Sequence, residues 1–141
     1  QGQGIHPVIG CEVYLAPHSR FDRSYINGEW HTHLILLCEN MTGYRNLIHM
    51  VSCGFSEGFY MKPRIDMELL RAHSEGLICL SACLAGAIPR ALADGDMDGA
   101  YDLCEQFLDI FDREHFYLEI QDHGIPLQQK SMRVCTSFPE S

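Results

Sequence analysis

Three residues in this chain carry side chains that bind transition metals, and each sits in or beside an apolar run. Glu12 closes I-G-C-E, His33 stands in H-T-H-L-I-L-L, and Cys83 lies in L-S-A-C-L. A carboxylate, an imidazole and a thiolate are reasonable ligands for zinc or a similar metal. Their spacing adds little, because the chain has neither an H-x-x-x-H nor a paired C-x-x-C. On chemistry alone the plainer reading is favoured: a surface Glu, a hydrogen-bonded His and a core Cys.

Other residues invite a functional reading and receive a modest one. Lys62 and Arg64, in the string K-P-R, could contact phosphate at a rim, but such residues are more often solvated or paired with acids. Glu119, Gln121 and His123 alternate, so they could line the same rim or form a hydrogen-bonded polar face; the second reading is preferred. Cys104 falls on an amphipathic stretch and reads as core. No phosphate-cradling G-x-x-x-x-G-K-[ST] and no G-x-S-x-G nucleophile turn occurs.

The elements that must position these residues follow from periodicity. Residues 7–16, 31–38, 76–82 and 116–121 read as strands. Asn40 or Thr42 caps a helix running to about Phe55, with Tyr44, Leu47, Ile48, Val51 and Phe55 at helical spacing. Residues 58–65 read as a loop. Asp66 caps a short helix, residues 86–93 form another that Gly95 stops, and Asp96 or Asp98 begins a longer one. Strands alternating with helices predict an α/β fold with a mainly parallel sheet or barrel, whose carboxyl strand ends share one rim; Glu12, His33 and Cys83 are expected at such ends. Four strands cannot close a barrel, so a part of a larger one is expected.

Composition narrows the function classes. Hydrophobic residues make up 46% of the 141, which suits a globular core. A net charge of −9 argues against a general nucleic-acid grip. Seven cysteines, an odd number mostly within apolar stretches, read as reduced thiols of a cytoplasmic protein. No apolar run approaches the ~20 residues needed to span a bilayer, so no membrane partner is expected.

Five strings occur in order: G-I-H-P-V-I-G-C-E-V-Y-L-A-P, H-L-I-L-L-C-E-N-M-T-G-Y-R-N-L, E-G-F-Y-M-K-P-R-I-D, E-G-L-I-C-L-S-A-C-L-A-G-A-I-P-R-A-L and F-Y-L-E-I-Q-D-H-G-I-P. Together they resemble the polymerase-and-histidinol-phosphatase (PHP) domain at the front of bacterial DNA polymerase III alpha subunits. The resemblance covers about residues 4–130 and implies an incomplete part of a distorted (βα)7 barrel, cut at both ends. Carried over by position, it makes Glu12, His33 and Cys83 ligands of a metal cluster, with zinc or manganese as the cofactor. The family's remaining ligands, in an N-terminal H-x-H, a following acidic residue and D-H-G, and a late D-x-H, have no match here. His31 imitates H-x-H in letters, but its context fits the family's single-His strand, so the ligand role falls to His33.

The resemblance also implies a function. Members with the full ligand set activate water for phosphoester hydrolysis, giving a 3′→5′ exonuclease; in others the domain is structural. The parent would extend DNA from deoxynucleotides among other replisome subunits, using magnesium and palm carboxylates that this chain lacks. The segment alone is expected to be inactive as a polymerase. Two alternatives stand: a separate histidinol-phosphatase-like phosphoesterase, against which K-P-R-I-D and Q-D-H-G-I-P argue, and a non-catalytic module that positions partners.

The family pattern is expected to stop at Lys130. The tail S-M-R-V-C-T-S-F-P-E-S has no clear periodicity. One choice of codons for it, preceded by a G and read from that base, gives V-N-E-G-L-Y-K-L-S-R-E, which resembles the family's continuation. Residues 131–141 are therefore expected to be a frameshifted or misjoined end.

Overall fold

A computed structural model of the chain describes residues 2–24 and 31–129. Its strands are β1 (Ile9–Leu15), β2 (Thr32–Cys38), β3 (Phe59–Tyr60), β4 (Lys62–Ile65), β5 (Leu77–Leu80) and β6 (Phe116–Tyr117). Its helices are α1 (Met41–Ser56), α2 (Met67–Ala72), α3 (Ala87–Asp94) and α4 (Met97–His115). The expected tail, residues 131–141, lies outside the described residues.

The helix starts follow local chemistry. The Asn40 side chain accepts from the Gly43 amide, Asp66 from Leu69, and Asp96 from Gly99. Each satisfies one amide that the first helical turn leaves free. Gly95, in the left-handed region at φ 84°, ends α3 as expected.

The sheet differs from the mainly parallel one expected. Strands lie in the order β3-β4-β1-β2-β5-β6. The pairs β1–β2, β2–β5 and β3–β4 are antiparallel; β1–β4 and β5–β6 are parallel. Helix–strand alternation predicts parallel order only when a helix separates the paired strands. No helix lies between β1 and β2 among the described residues, so they pair as antiparallel neighbours. The result is a mixed α/β sheet with flanking helices, the α/β class expected.

Three local expectations also change. The loop at 58–65 is a small hairpin, turning at Met61 with φ 61°. The strand expected over 116–121 is reduced to Phe116–Tyr117, after which Glu119 donates its amide to the Ser81 hydroxyl. Helix α1 buries Gly43, Leu47, Met50 and Gly54, while Ile48 and Phe55 are exposed. Gly43 explains that face: a Cβ there would collide with the Gly76 carbonyl, so this side of the helix lies against the turn before β5.

Side-chain alternation builds the core. Val13, Leu15, Leu34, Leu36, Leu77 and Cys79 are buried and cluster with Leu47, Met50, Leu70, Ile88, Leu92, Cys104 and Phe107 from the helices. Because strand residues alternate between faces, Glu12, Tyr14 and His33 belong to the face opposite this cluster.

Candidate metal centre

The β1–β2 register brings two of the three predicted ligands together. Tyr14 stands opposite His33, and Glu12 opposite Ile35. Glu12 is thus diagonal to His33 across the antiparallel pair, within reach of long side chains. Its Oε1 lies 3.4 Å from His33 Nδ1. The expectation that all three ligands occupy carboxyl strand ends is corrected here: Glu12 lies in the middle of β1 and His33 near the amino end of β2. The antiparallel pairing is what puts that end beside β1.

Cys83 arrives on a tight turn after β5. His33 donates its amide to the Ala85 carbonyl at 2.9 Å, and Gly86 donates to Cys83 at 2.8 Å. A Cβ on Gly86 would run into the Ser81 carbonyl oxygen, so the turn closes only around glycine. Ala82 within it has φ 62°. The Cys83 thiol lies 4.0 Å from His33 Nδ1 and accepts from the Ala85 amide at 3.5 Å.

His33 therefore contacts both other predicted ligands through one nitrogen. Ordinary zinc bonds of ~2.0–2.3 Å at a tetrahedral angle put ligand atoms about 3.4 Å (N to O) and about 3.6 Å (N to S) apart. The Glu12 pair matches, and the Cys83 pair is slightly long. Donor types and spacing suit a transition metal. Among the described residues, no group of three or more His, Cys, Asp and Glu side chains is gathered closely enough to hold a metal ion.

The other candidates have distinct placements. The Lys62 Nζ rests 5.4 Å from the Tyr14 ring centre. Arg64 is 1% exposed, and its guanidinium donates to the carbonyls of Gly58, Arg20 and Asp22. That binding ties the segment after β1 to β4 and directs the guanidinium inward, away from a rim contact. His123 donates its amide to Gln128 Oε1 at 3.1 Å, and its Nδ1 lies 3.0 Å from Gln128 Nε2. Gln121 donates to Glu119 at 2.6 Å, so part of that polar stretch is internally bonded.

Sequence reasoning gave His31 and Tyr14 little weight. The Tyr14 ring meets His31 edge-on at 4.8 Å and His33 at 5.3 Å, and the two imidazoles are nearly parallel at 5.8 Å. Burial pushes the His31 pKa below its ordinary value, with help from His33, Lys62, Arg90 and Arg64. His31 Nδ1 and Glu119 Oε2 are buried without hydrogen-bond partners among the described residues. The available signal was the period of two: His31 and His33, like Glu12 and Tyr14, are two apart.

Comparison with known proteins bears on this arrangement. The family model described as "PHP domain" matches residues 1–123. The chain belongs to the PHP domain family. DNA polymerase III subunit alpha of Treponema pallidum (strain Nichols) is 47% identical over 129 residues, 91% of this chain and 11% of that protein. The subunit of Thermus aquaticus is 44% identical over 137 residues, 96% of this chain and 11% of that protein. That of Chlamydia trachomatis is 48% identical over 120 residues, 84% of this chain and 10% of that protein. This PHP domain chain spans about a tenth of the length of these curated relatives. Among its described residues no helix is long and apolar enough to cross a membrane.

Proposed function

We propose that this PHP segment contributes Glu12, His33 and Cys83 to a metal centre for phosphoester hydrolysis in a replicative DNA polymerase alpha subunit. The observation that carries the reading is the meeting of Glu12 and Cys83 at His33 Nδ1, at 3.4 and 4.0 Å. Three chain segments far apart in sequence converge there on donors that suit zinc or manganese. A metal held there would supply an activated water for cleaving a phosphoester, as in 3′→5′ proofreading. The chain's own contribution is positional. The strand register holds Glu12 against His33, the Gly86 turn presents the thiol, and Tyr14 walls the imidazoles. Further ligands would come from parts of the parent outside this chain.

The parent would carry out template-directed synthesis in the cytoplasm on DNA and deoxynucleotides, with other replisome subunits as partners and magnesium at a separate polymerase site. The high identity to polymerase III alpha subunits supports this over a free-standing histidinol-phosphatase-like enzyme. A second reading, a non-catalytic bracing domain, is favoured by one observation: no three donors are gathered closely enough to hold an ion among the described residues. Metal content and exonuclease activity of the complete subunit, with Glu12→Ala and His33→Ala, separate the two. Loss of bound metal and of exonuclease activity in both variants is expected. Unchanged metal content and activity in both would remove the metal assignment. Residues 131–141 are proposed to be a shifted-frame end, and the coding DNA tests this: lack of the second frame would end that proposal.

A further inference from the structure

We infer that Tyr14, His31 and Lys62 form an anion subsite beside the Glu12–His33–Cys83 centre, suited to the non-scissile phosphate of a nucleotide chain. The role in a substrate rests on the phosphoesterase reading above; the binding itself does not. The three side chains form one continuous patch. Tyr14 stands opposite His33 in the strand register, and its ring contacts both imidazoles at 4.8 and 5.3 Å. The Lys62 ammonium rests 5.4 Å from the centre of that same ring. Lys62 is exposed and forms no ion pair among the described residues.

His31 supplies a second, independent indication. Its Nδ1 is buried and unpartnered. A buried N–H without an acceptor is costly, so the neutral ring keeps its proton on Nε2. Nε2 is then the atom through which His31 donates. The chain has 10 Lys and Arg against 19 Asp and Glu, so the Lys62 ammonium at the Tyr14 ring runs locally against the overall charge. An acidic molecule can hold a polyanion only where such a local reversal exists. A simple phosphomonoester needs the metal centre alone. A nucleotide chain carries a further negative charge at each successive phosphate, and a cation beside the centre can hold one of these.

Inorganic phosphate is the probe, titrated at fixed pH into the metal-free full chain while imidazole and tyrosine resonances are followed by NMR. The His31 and Tyr14 signals are expected to move together and saturate. Lys62→Met should weaken phosphate binding about tenfold, the loss of one charged hydrogen bond, and Lys62→Arg should restore most of it. Lys62 is exposed, so the substitution leaves the fold intact. Phosphate that leaves the His31 and Tyr14 signals unmoved would overturn the subsite, and so would equal affinity in Lys62→Met. Zinc binding is measured separately on the complete subunit. Phosphate binding that survives while the complete subunit takes no zinc supports the subsite and removes the phosphoesterase reading, so the two failures are distinguishable.

Discussion

Replacing Asp66 by alanine tests the part of the fold that holds the candidate centre's strands in register. Asp66 is 1% exposed and serves two structures at once. Its Oδ1 caps α2 by accepting from the Leu69 amide at 3.0 Å. Its carboxylate also accepts from the Arg20 amide at 2.8 Å and from the Arg20 guanidinium at 3.1 Å. Breaking a buried ion pair from one side costs about 3–5 kcal/mol, because the remaining charge is left without its partner. Arg20 keeps Glu57 at 2.7 Å, so the low end of that range applies. The lost cap adds about 1 kcal/mol. Asp66→Ala should therefore destabilise by about 4 kcal/mol. Asp66→Asn, which keeps the capping oxygen but not the charge, should cost roughly half as much by the same reasoning. Against a total stability of ~5–15 kcal/mol, the alanine variant is close to unfolding. Urea denaturation of both variants, monitored by circular dichroism, reads the effect as a midpoint about 2 M lower for alanine. An alanine variant within about 1 kcal/mol of the parent would refute the argument that this pair is desolvated. Equal losses in Asn and Ala would refute the capping share.

Two further substitutions follow from local geometry. Gly86→Ala puts a Cβ against the Ser81 carbonyl, so the turn carrying Cys83 must open at a cost of about 1–3 kcal/mol. Calorimetry should show a lower Tm and zinc titration a weaker site; parent-like values in both would refute the close-approach argument. His115 is held above its ordinary pKa first by its hydrogen bond to Asp112, then by the charges of Asp112, Glu39 and Glu114. Because the folded pKa is raised, this stabilisation is fully present below the unfolded value of about 6.5 and is lost as pH rises through the folded one. The stability gap between parent and His115→Gln should therefore shrink from pH 6 to pH 8, and a gap constant over that range would contradict the assignment.

Much of the local structure was legible because its causes are local. Asn40, Asp66 and Asp96 are caps in the sequence because their short side chains reach amides three residues on, and the structure uses all three. Gly95 ends α3 because it adopts a positive φ without strain. The reading of Cys104 as core also holds, since it lies on the buried side of α4. The role of K-P-R was only half legible. Lys62 remains at the surface, but Arg64 turns inward to carbonyls of a segment more than 40 residues away, a partnership that no local pattern signals.

The sequence by itself determined the family, the helix boundaries and the identity of three metal-type donors, since these depend on residue type and short-range spacing. Tertiary structure alone decided that the donors meet. Glu12 faces His33 because β1 and β2 pair antiparallel in one register, and a one-residue slip would turn every side chain of β2 to the other face. The same pairing moved His33 from the expected carboxyl end of a strand to an amino end. Together with the parallel β1–β4 pairing, it also placed Tyr14, His31 and Lys62 in one patch, which residues so separated in the chain could not announce.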